Sequence, residues 1–137
     1  MSTPRYAIGI DLGTTHCALS YVDVTASDGE QALQQVLPIP QLSGPGAVEA
    51  RPLLPSFLYL PHESELAPGD LALPWAASHD FAAGEFARTR GAATPIRLVS
   101  SAKSWLCHPG VDRRAAILPA EAPAEVSRIS PLTASIR

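Results

Sequence analysis

The chain has 137 residues, which suits one ordinary domain and allows a moderate core to be buried. Its formal net charge is −3, and its ten lysine and arginine residues are scattered rather than clustered. This composition excludes a basic surface of the kind that binds nucleic acid. No apolar run approaches membrane-spanning length and the first residues do not form a signal segment, so the sequence predicts a cytoplasmic protein without membrane partners.

The first predicted element is a β-hairpin. Residues 6–10 form a short apolar run with β-branched members, and residues 18–23 form a second, alternating run. Between them lies a turn at residues 13–15, called the 13–15 turn below. It carries a glycine and two threonines, Gly13, Thr14 and Thr15. Glycine allows close backbone approach or a positive φ, and the threonines offer hydroxyl and amide donors, so the turn suits a phosphate.

Asp11 precedes this turn and would repel a phosphate directly. A carboxylate there is favourable if Mg²⁺ lies between it and the phosphates and keeps several waters. His16 follows the threonines, where it can cap the turn. From these residues alone, an ordinary hairpin with a Gly-Thr turn is an equal alternative.

Further strands are predicted downstream, among proline-rich loops. Residues 35–39 are predicted to form a strand that continues into an extended connection up to Pro52. Residues 53–60 predict a strand that is covered on both sides, because Phe57 and Tyr59 alternate with Leu58 and Leu60.

Two short helices and the start of a third are predicted after these strands. The first two cover residues 81–90 and 100–106, the second with a serine cap, and residues 119–123 are predicted to be a linker. Ser130 and Pro131 then begin a helix whose Leu132 and Ile136 are expected on its buried face. A helix of fewer than two turns is not stable on its own, so we expect that the chain is a truncated part of a larger domain.

Residues 5–15 resemble the first phosphate motif of the 70-kDa heat-shock (DnaK-type) chaperones, in the superfamily of actin, sugar kinases and chaperone ATPases. Residues 53–60 are similar to the Pro-Ser strand of those ATPase domains. Residues 84–88, followed by Pro95 and by Ala102-Lys103, are similar to the family's Gly-Asp-Ala-Ala-Lys segment and its sequel. The three segments occur in the family's order.

The resemblance implies an α/β fold, an incomplete ribonuclease-H-like (actin-like ATPase) half-lobe made of the N-terminal β-hairpin, further strands and short helices. Residues 1–137 would be the N-terminal fragment of the ATPase domain, without the rest of that domain or the substrate-binding domain. The complete protein would bind ATP and Mg²⁺ and hydrolyse ATP to close on unfolded polypeptide clients. Its partners would be a J-domain cochaperone and a nucleotide-exchange factor.

The resemblance also implies site roles. Asp11 would be a catalytic residue that binds Mg²⁺ through water, and Gly13, Thr14 and Thr15 would contact phosphates. His16, where the family often carries an aromatic or polar residue, would flank the nucleotide or simply cap the turn. Arg88 stands where the family has its catalytic lysine, and a planar guanidinium keeps the charge but not the geometry of an ammonium. We therefore expect slow hydrolysis in the complete protein and none in this fragment alone. A solvated helix arginine is an equal interpretation of Arg88.

Two other functions stay open. Sugar kinases share the Gly-Ile-Asp-Leu-Gly-Thr motif, so a sugar or glycerol-type kinase is one alternative, although residues 34–52 offer few polar groups that would bind such a substrate. The other is a degenerate, non-enzymatic remnant whose strands bind a partner by edge pairing.

Overall fold

The computed structural model describes residues 3–26 and 33–137. In these residues nine short strands pair into three antiparallel sheets, accompanied by three α-helices and one 3₁₀ turn. The chain is therefore a mixed α/β protein with several antiparallel sheets and few helices. No helix in the described ranges is long and apolar enough to cross a membrane.

The first sheet begins with the predicted hairpin. β1 (Tyr6–Leu12) and β2 (His16–Asp23) pair along their whole length, from Tyr6 opposite Asp23 to Leu12 opposite Cys17. The other edge of β2 receives β3 (Gln35–Val36) near one end and β6 (Leu54–Pro55) near the other. Within the described residues no strand pairs with the outer edge of β1.

The second sheet corrects one prediction. β4 (Ile39–Gly44) and β5 (Ala47–Arg51) form a hairpin where the sequence predicted the end of a strand and an extended connection. The prolines misled the prediction: Pro40 is tolerated within this isolated two-stranded sheet, since it removes only one N–H donor. Gly46 adopts a φ of +65°, which lets the chain reverse between the two strands.

The third sheet holds the core. β7 (Phe57–Tyr59) lies between β8 (Ala82–Ala83) and β9 (Leu98–Ser100), and Ser56 separates it from β6, so the predicted single strand is divided between two sheets. The prediction that this strand is covered on both sides is confirmed. Tyr59 belongs to one buried cluster, and Leu58 and Leu60 belong to another.

The members of these clusters come from distant parts of the chain. Tyr59 shares its cluster with Leu42 of β4, Leu71, Ala82 of β8, and the later residues Phe86 and Ala87. Leu58 and Leu60 pack with Val99 of β9 and with Leu118.

The first helix starts later than predicted. α1 (Glu85–Ala93) follows Gly84, whose φ of +80° places it outside the helix, and β8 occupies part of the stretch predicted as helical. A 3₁₀ turn (Pro95–Arg97) leads into β9. α2 (Ala102–Cys107) matches its prediction in position, but Ser101 at its N-cap has a left-handed φ and makes no side-chain cap, so the predicted serine cap is wrong.

The last helix confirms its predicted start and corrects its predicted face. α3 (Pro131–Ile136) is capped by Ser130, whose Oγ accepts the N–H of Thr133 at 3.0 Å. Its buried residue is Pro131, whereas Ile136 is 76% exposed and Leu132 is 36% exposed. Within the predicted linker, residues 119–123, Pro119 and Ala122 are buried, so this segment is partly packed against the rest of the described chain.

Candidate functional site

The 13–15 turn closes the β1–β2 hairpin, so the hairpin register fixes its position. Ile10 lies opposite Leu19 and Leu12 lies opposite Cys17, which leaves a short reversal around Thr14 and Thr15. A Cβ on Gly13 would lie 2.2 Å from the backbone oxygen of His16, closer than real Cβ atoms approach. Glycine is thus required by this close backbone contact, not by a positive φ, which Gly13 does not have.

Ser56 holds the turn from both sides. Its hydroxyl donates to the carbonyl of Gly13 at 2.8 Å, and its backbone N–H donates to the carbonyl of Thr15 at 2.8 Å. The Sγ of Cys17 lies 3.6 Å from the same hydroxyl. Two carbonyls of the turn are therefore anchored at the junction between β6 and β7. Sequence reasoning noted the Pro-Ser pair but assigned Ser56 no role.

The threonine side chains remain available. Thr14 and Thr15 are exposed, and their hydroxyls have no hydrogen-bond partner in the part of the chain that the structure describes. A turn whose carbonyls are anchored while its hydroxyls face solvent presents donors in a defined arrangement. Such an arrangement suits an anion such as phosphate.

Asp11 and His16 flank the turn on β1 and β2. Asp11 lies opposite Ala18 and is exposed, beside a shallow groove of about 350 Å³ that Gly9 and Ser20 also line. No group of three or more His, Cys, Asp or Glu side chains suited to a metal occurs within residues 3–26 and 33–137. A cation at Asp11 would therefore need water and ligand oxygens to complete its coordination.

Arg88 lies on α1 and is engaged by a carboxylate. Its Nε and Nη2 donate to the two oxygens of Glu85 at 3.1 and 2.6 Å, and Arg51 approaches the same carboxylate at 3.6 Å. The Arg88 hydrogen bonds hold the pKa of Glu85 below its usual value against partial burial, and Arg51 and His16 act in the same direction. The charge of Arg88 is thus largely compensated within the chain.

Lys103 places a cation beside the turn. Its Nζ donates to the carbonyl of Leu12 at 2.7 Å, across 91 residues of sequence, although the side chain is exposed. Lys103, which the sequence singled out only as part of the Ala102-Lys103 pair, thus contacts the residue that precedes the 13–15 turn.

The structure therefore brings together some predicted site residues and adds others. Asp11, Gly13, Thr14, Thr15 and His16 share one end of the hairpin, and His16 contributes to the electrostatic environment of Glu85 beside Arg88. Ser56, Glu85 and Lys103 were missed as contributors to this site. Their roles depend on contacts between residues more than 40 positions apart, or on competition for Arg88, which local motifs do not reveal.

Comparison with protein-family models, with curated proteins and with solved structures finds no match in any of the three. The resemblance to the DnaK-type chaperones therefore rests on the residues quoted for it.

Proposed function

We propose that this chain carries the nucleotide-facing N-terminal part of a DnaK-type chaperone ATPase, with the ribonuclease-H-like half-lobe that this family uses. The observation that carries the proposal is the 13–15 turn: Ser56 anchors its carbonyls at 2.8 Å, while the hydroxyls of Thr14 and Thr15 face solvent without partners among the described residues.

In this proposal the phosphates of ATP bind at the 13–15 turn. Thr14 and Thr15 donate from their hydroxyls, and Gly13 keeps the backbone free of a side chain that would obstruct the ligand. Mg²⁺, when bound, would neutralise phosphate charge, and Asp11 would hold it through water. One carboxylate with several waters is a donor set that suits Mg²⁺ in nucleotide sites, so these residues fit the group.

Arg88 has a restricted role in the proposal. A guanidinium that is bound to both oxygens of Glu85 can face a phosphate only if that ion pair opens or if the phosphate approaches its outer edge. We therefore expect no measurable ATP hydrolysis by the 137-residue chain. Turnover that Asp11→Ala abolishes would contradict this expectation. In the complete protein, Arg88→Lys should raise turnover.

The wider function follows from the same proposal. Unfolded polypeptides would be the clients, a J-domain protein and a nucleotide-exchange factor would be the partners, and the cytoplasm would be the location. The resemblance to the family supports these assignments, and each belongs to the complete protein.

The binding test uses the 137-residue chain with ¹⁵N labelling and MgATP as the probe. We expect the amide resonances of residues 13–16 to shift on titration, and Thr14→Val with Thr15→Val to weaken binding by about tenfold, since hydroxyl donors to a charged group are lost. Thr25→Val is the matched control, because the Thr25 hydroxyl donates to Asp23 at the other end of the hairpin. An unchanged spectrum of residues 13–16 would reject the nucleotide site.

One observation favours a second candidate, a binding module without enzymatic activity. The outer edge of β1 has no partner strand in the described chain, and Ile8, Ile10 and Leu12 are 66%, 66% and 64% exposed. An exposed apolar edge strand is a template for pairing with another extended segment. A chain that binds no MgATP but whose β1 amides become protected from hydrogen exchange with a partner would support this candidate.

A further inference from the structure

Lys103 is the only lysine in the sequence, and its ammonium contacts the carbonyl of Leu12, directly before the 13–15 turn, rather than an acidic side chain. Among the described residues it forms no ion pair, whereas Arg88 is bound by Glu85 and Arg90 is bound by Glu65. The chain thus contains two kinds of cation near its candidate site. The charge of Arg88 is compensated by a carboxylate, and the charge of Lys103 meets only a neutral carbonyl.

The hydrogen bond to Leu12 fixes the position of the Lys103 ammonium without neutralising its charge. An ammonium has three N–H donors, and the carbonyl of Leu12 accepts one of them at 2.7 Å. The other donors remain available to solvent or to a ligand, because Lys103 is exposed. A lysine ammonium is also a compact point charge, which suits a phosphate approached from one direction.

The location of Lys103 is built by three separate elements. α2 carries Lys103, β1 supplies the carbonyl of Leu12, and Ser56 holds Gly13 and Thr15 just beyond it. Contacts between residues that are 41, 43 and 91 positions apart in sequence therefore place the ammonium next to the turn. Leu12 directly precedes Gly13, so the cation lies at the entrance of the turn.

We propose that Lys103, rather than Arg88, is the cation that binds the terminal phosphates of a polyphosphate ligand at the 13–15 turn. The inference rests on the proposed nucleotide function and assigns the charged contact within it. The ligand class is a nucleoside triphosphate or inorganic triphosphate with Mg²⁺, since the donors described here recognise phosphate oxygens and not a base.

The first test titrates ¹⁵N-labelled chain with magnesium triphosphate and follows the amides of Thr14 and Thr15. We expect Lys103→Met to weaken binding by about tenfold and Lys103→Arg to restore most of it, as for the loss and return of a charge-assisted hydrogen bond. Arg114→Met is the matched control, because it removes the same charge from the exposed loop after α2. It should change binding by less than about twofold, as expected for a screened surface charge.

The outcomes separate this inference from the proposed function. If triphosphate shifts Thr14 and Thr15 equally well in the wild type and in Lys103→Met, the role of Lys103 is rejected while the phosphate site stands. If triphosphate leaves these amides unchanged in the wild type, both proposals are rejected. If Lys103→Met and Arg114→Met weaken binding equally, the contribution is general electrostatics and the inference fails.

A second measurement needs no variant and covers the case in which Lys103→Met does not fold. Acetylation of the wild-type chain by an amine-reactive reagent is followed by peptide mass spectrometry, and the only lysine reports on its own exposure. Magnesium triphosphate should slow acetylation of Lys103 but not of the α-amino group. Equal rates with and without triphosphate, under conditions in which Thr14 and Thr15 shift, would overturn the inference.

Discussion

β1 and β7 have the same kind of sequence and opposite environments. Each contains consecutive apolar residues, a pattern typical of strands that are buried on both faces. In β7, Leu58 is 5% exposed and Tyr59 is fully buried, whereas in β1 both Ile8 and Ile10 are 66% exposed. An apolar sequence pattern therefore indicates which side chains of a strand can be buried. Whether it is buried depends on which other elements reach it.

The elements that reach β7 come from both sides of it in the sequence. Leu42 and Phe86 cover one face, and Val99 and Leu118 cover the other. For β1, the described chain supplies β2 along one edge and no comparable cover on its faces.

The largest expected difference is between two truncations, Leu58→Ala and Ile10→Ala. Leu58→Ala should lower the free energy of unfolding by about 2–5 kcal/mol, because it removes buried methyl groups and leaves a cavity. Ile10→Ala should change it by less than about 0.5 kcal/mol, because the side chain is already solvated. Urea denaturation of each variant measures both values. Similar losses for the two variants would mean that β1 is covered in solution, for instance by a second copy of the chain.

The next effect concerns Gln41, a buried amide that joins β4 to α1. Its Oε1 accepts the N–H of Glu85 at 3.0 Å, and its Nε2 donates to the carbonyl of Leu53 at 2.9 Å. Gln41→Leu should cost about 2 kcal/mol, since buried backbone groups lose their partners. The control Gln35→Leu alters an exposed glutamine and should cost less than about 0.5 kcal/mol in the same urea series. Equal losses of stability in the two variants would show that the buried hydrogen bonds of Gln41 do not contribute more than an exposed glutamine does.

A smaller effect is expected where the exposed hairpin is tied to the buried sheet. Ser56→Ala removes the hydroxyl that donates to Gly13 and should cost about 1 kcal/mol, the usual net value of one hydrogen bond. Hydrogen exchange should quicken at residues 14–17 more than elsewhere. Ser43→Ala is the control, because its hydroxyl makes only exposed contacts, one of 3.4 Å with the carbonyl of Ala47 and one with the carboxylate of Glu49. Uniformly faster exchange would indicate global destabilisation instead of local loosening.

The smallest effect is a pH dependence at the open end of the hairpin. The hydroxyl and amide of Thr25 donate to Asp23 and lower its pKa to about 2, with Arg5 acting in the same direction. Because the folded pKa lies below the ordinary 3.8, this stabilisation is present above that value and is lost as the pH falls toward 2. A carboxyl ¹³C titration should show a midpoint near 2 for Asp23. A midpoint near 3.8 would refute the Thr25 contacts in solution.

The same contrast explains what the sequence could predict. Local signals located the β1–β2 hairpin, the two-sided packing of β7 and the Ser130 cap, because each depends on alternation or on one residue at a helix start. The proline-rich stretch was misjudged, since the β4–β5 hairpin accommodates Pro40.

The candidate site was only partly predictable for a related physical reason. Glycine, threonine and aspartate in one turn could be found by motif, but Ser56 and Lys103 reach the turn only through the tertiary fold. The pairing of Arg88 with Glu85 three residues earlier was present in the sequence. It was missed because the motif directed attention to a phosphate and not to the nearby carboxylate.

The side chain of Gln41 also bears on the order in which this chain folds. α1 begins after a glycine that offers no side-chain cap, and the acceptor for its first N–H lies 44 residues earlier. Closing a loop of that length has an entropic cost, and hydrogen bonds within the helix do not offset it. Contacts between residues far apart in sequence also slow folding. Formation of α1 is thereby coupled to arrival of β4, so the hairpin and the helix should gain protection in one kinetic step.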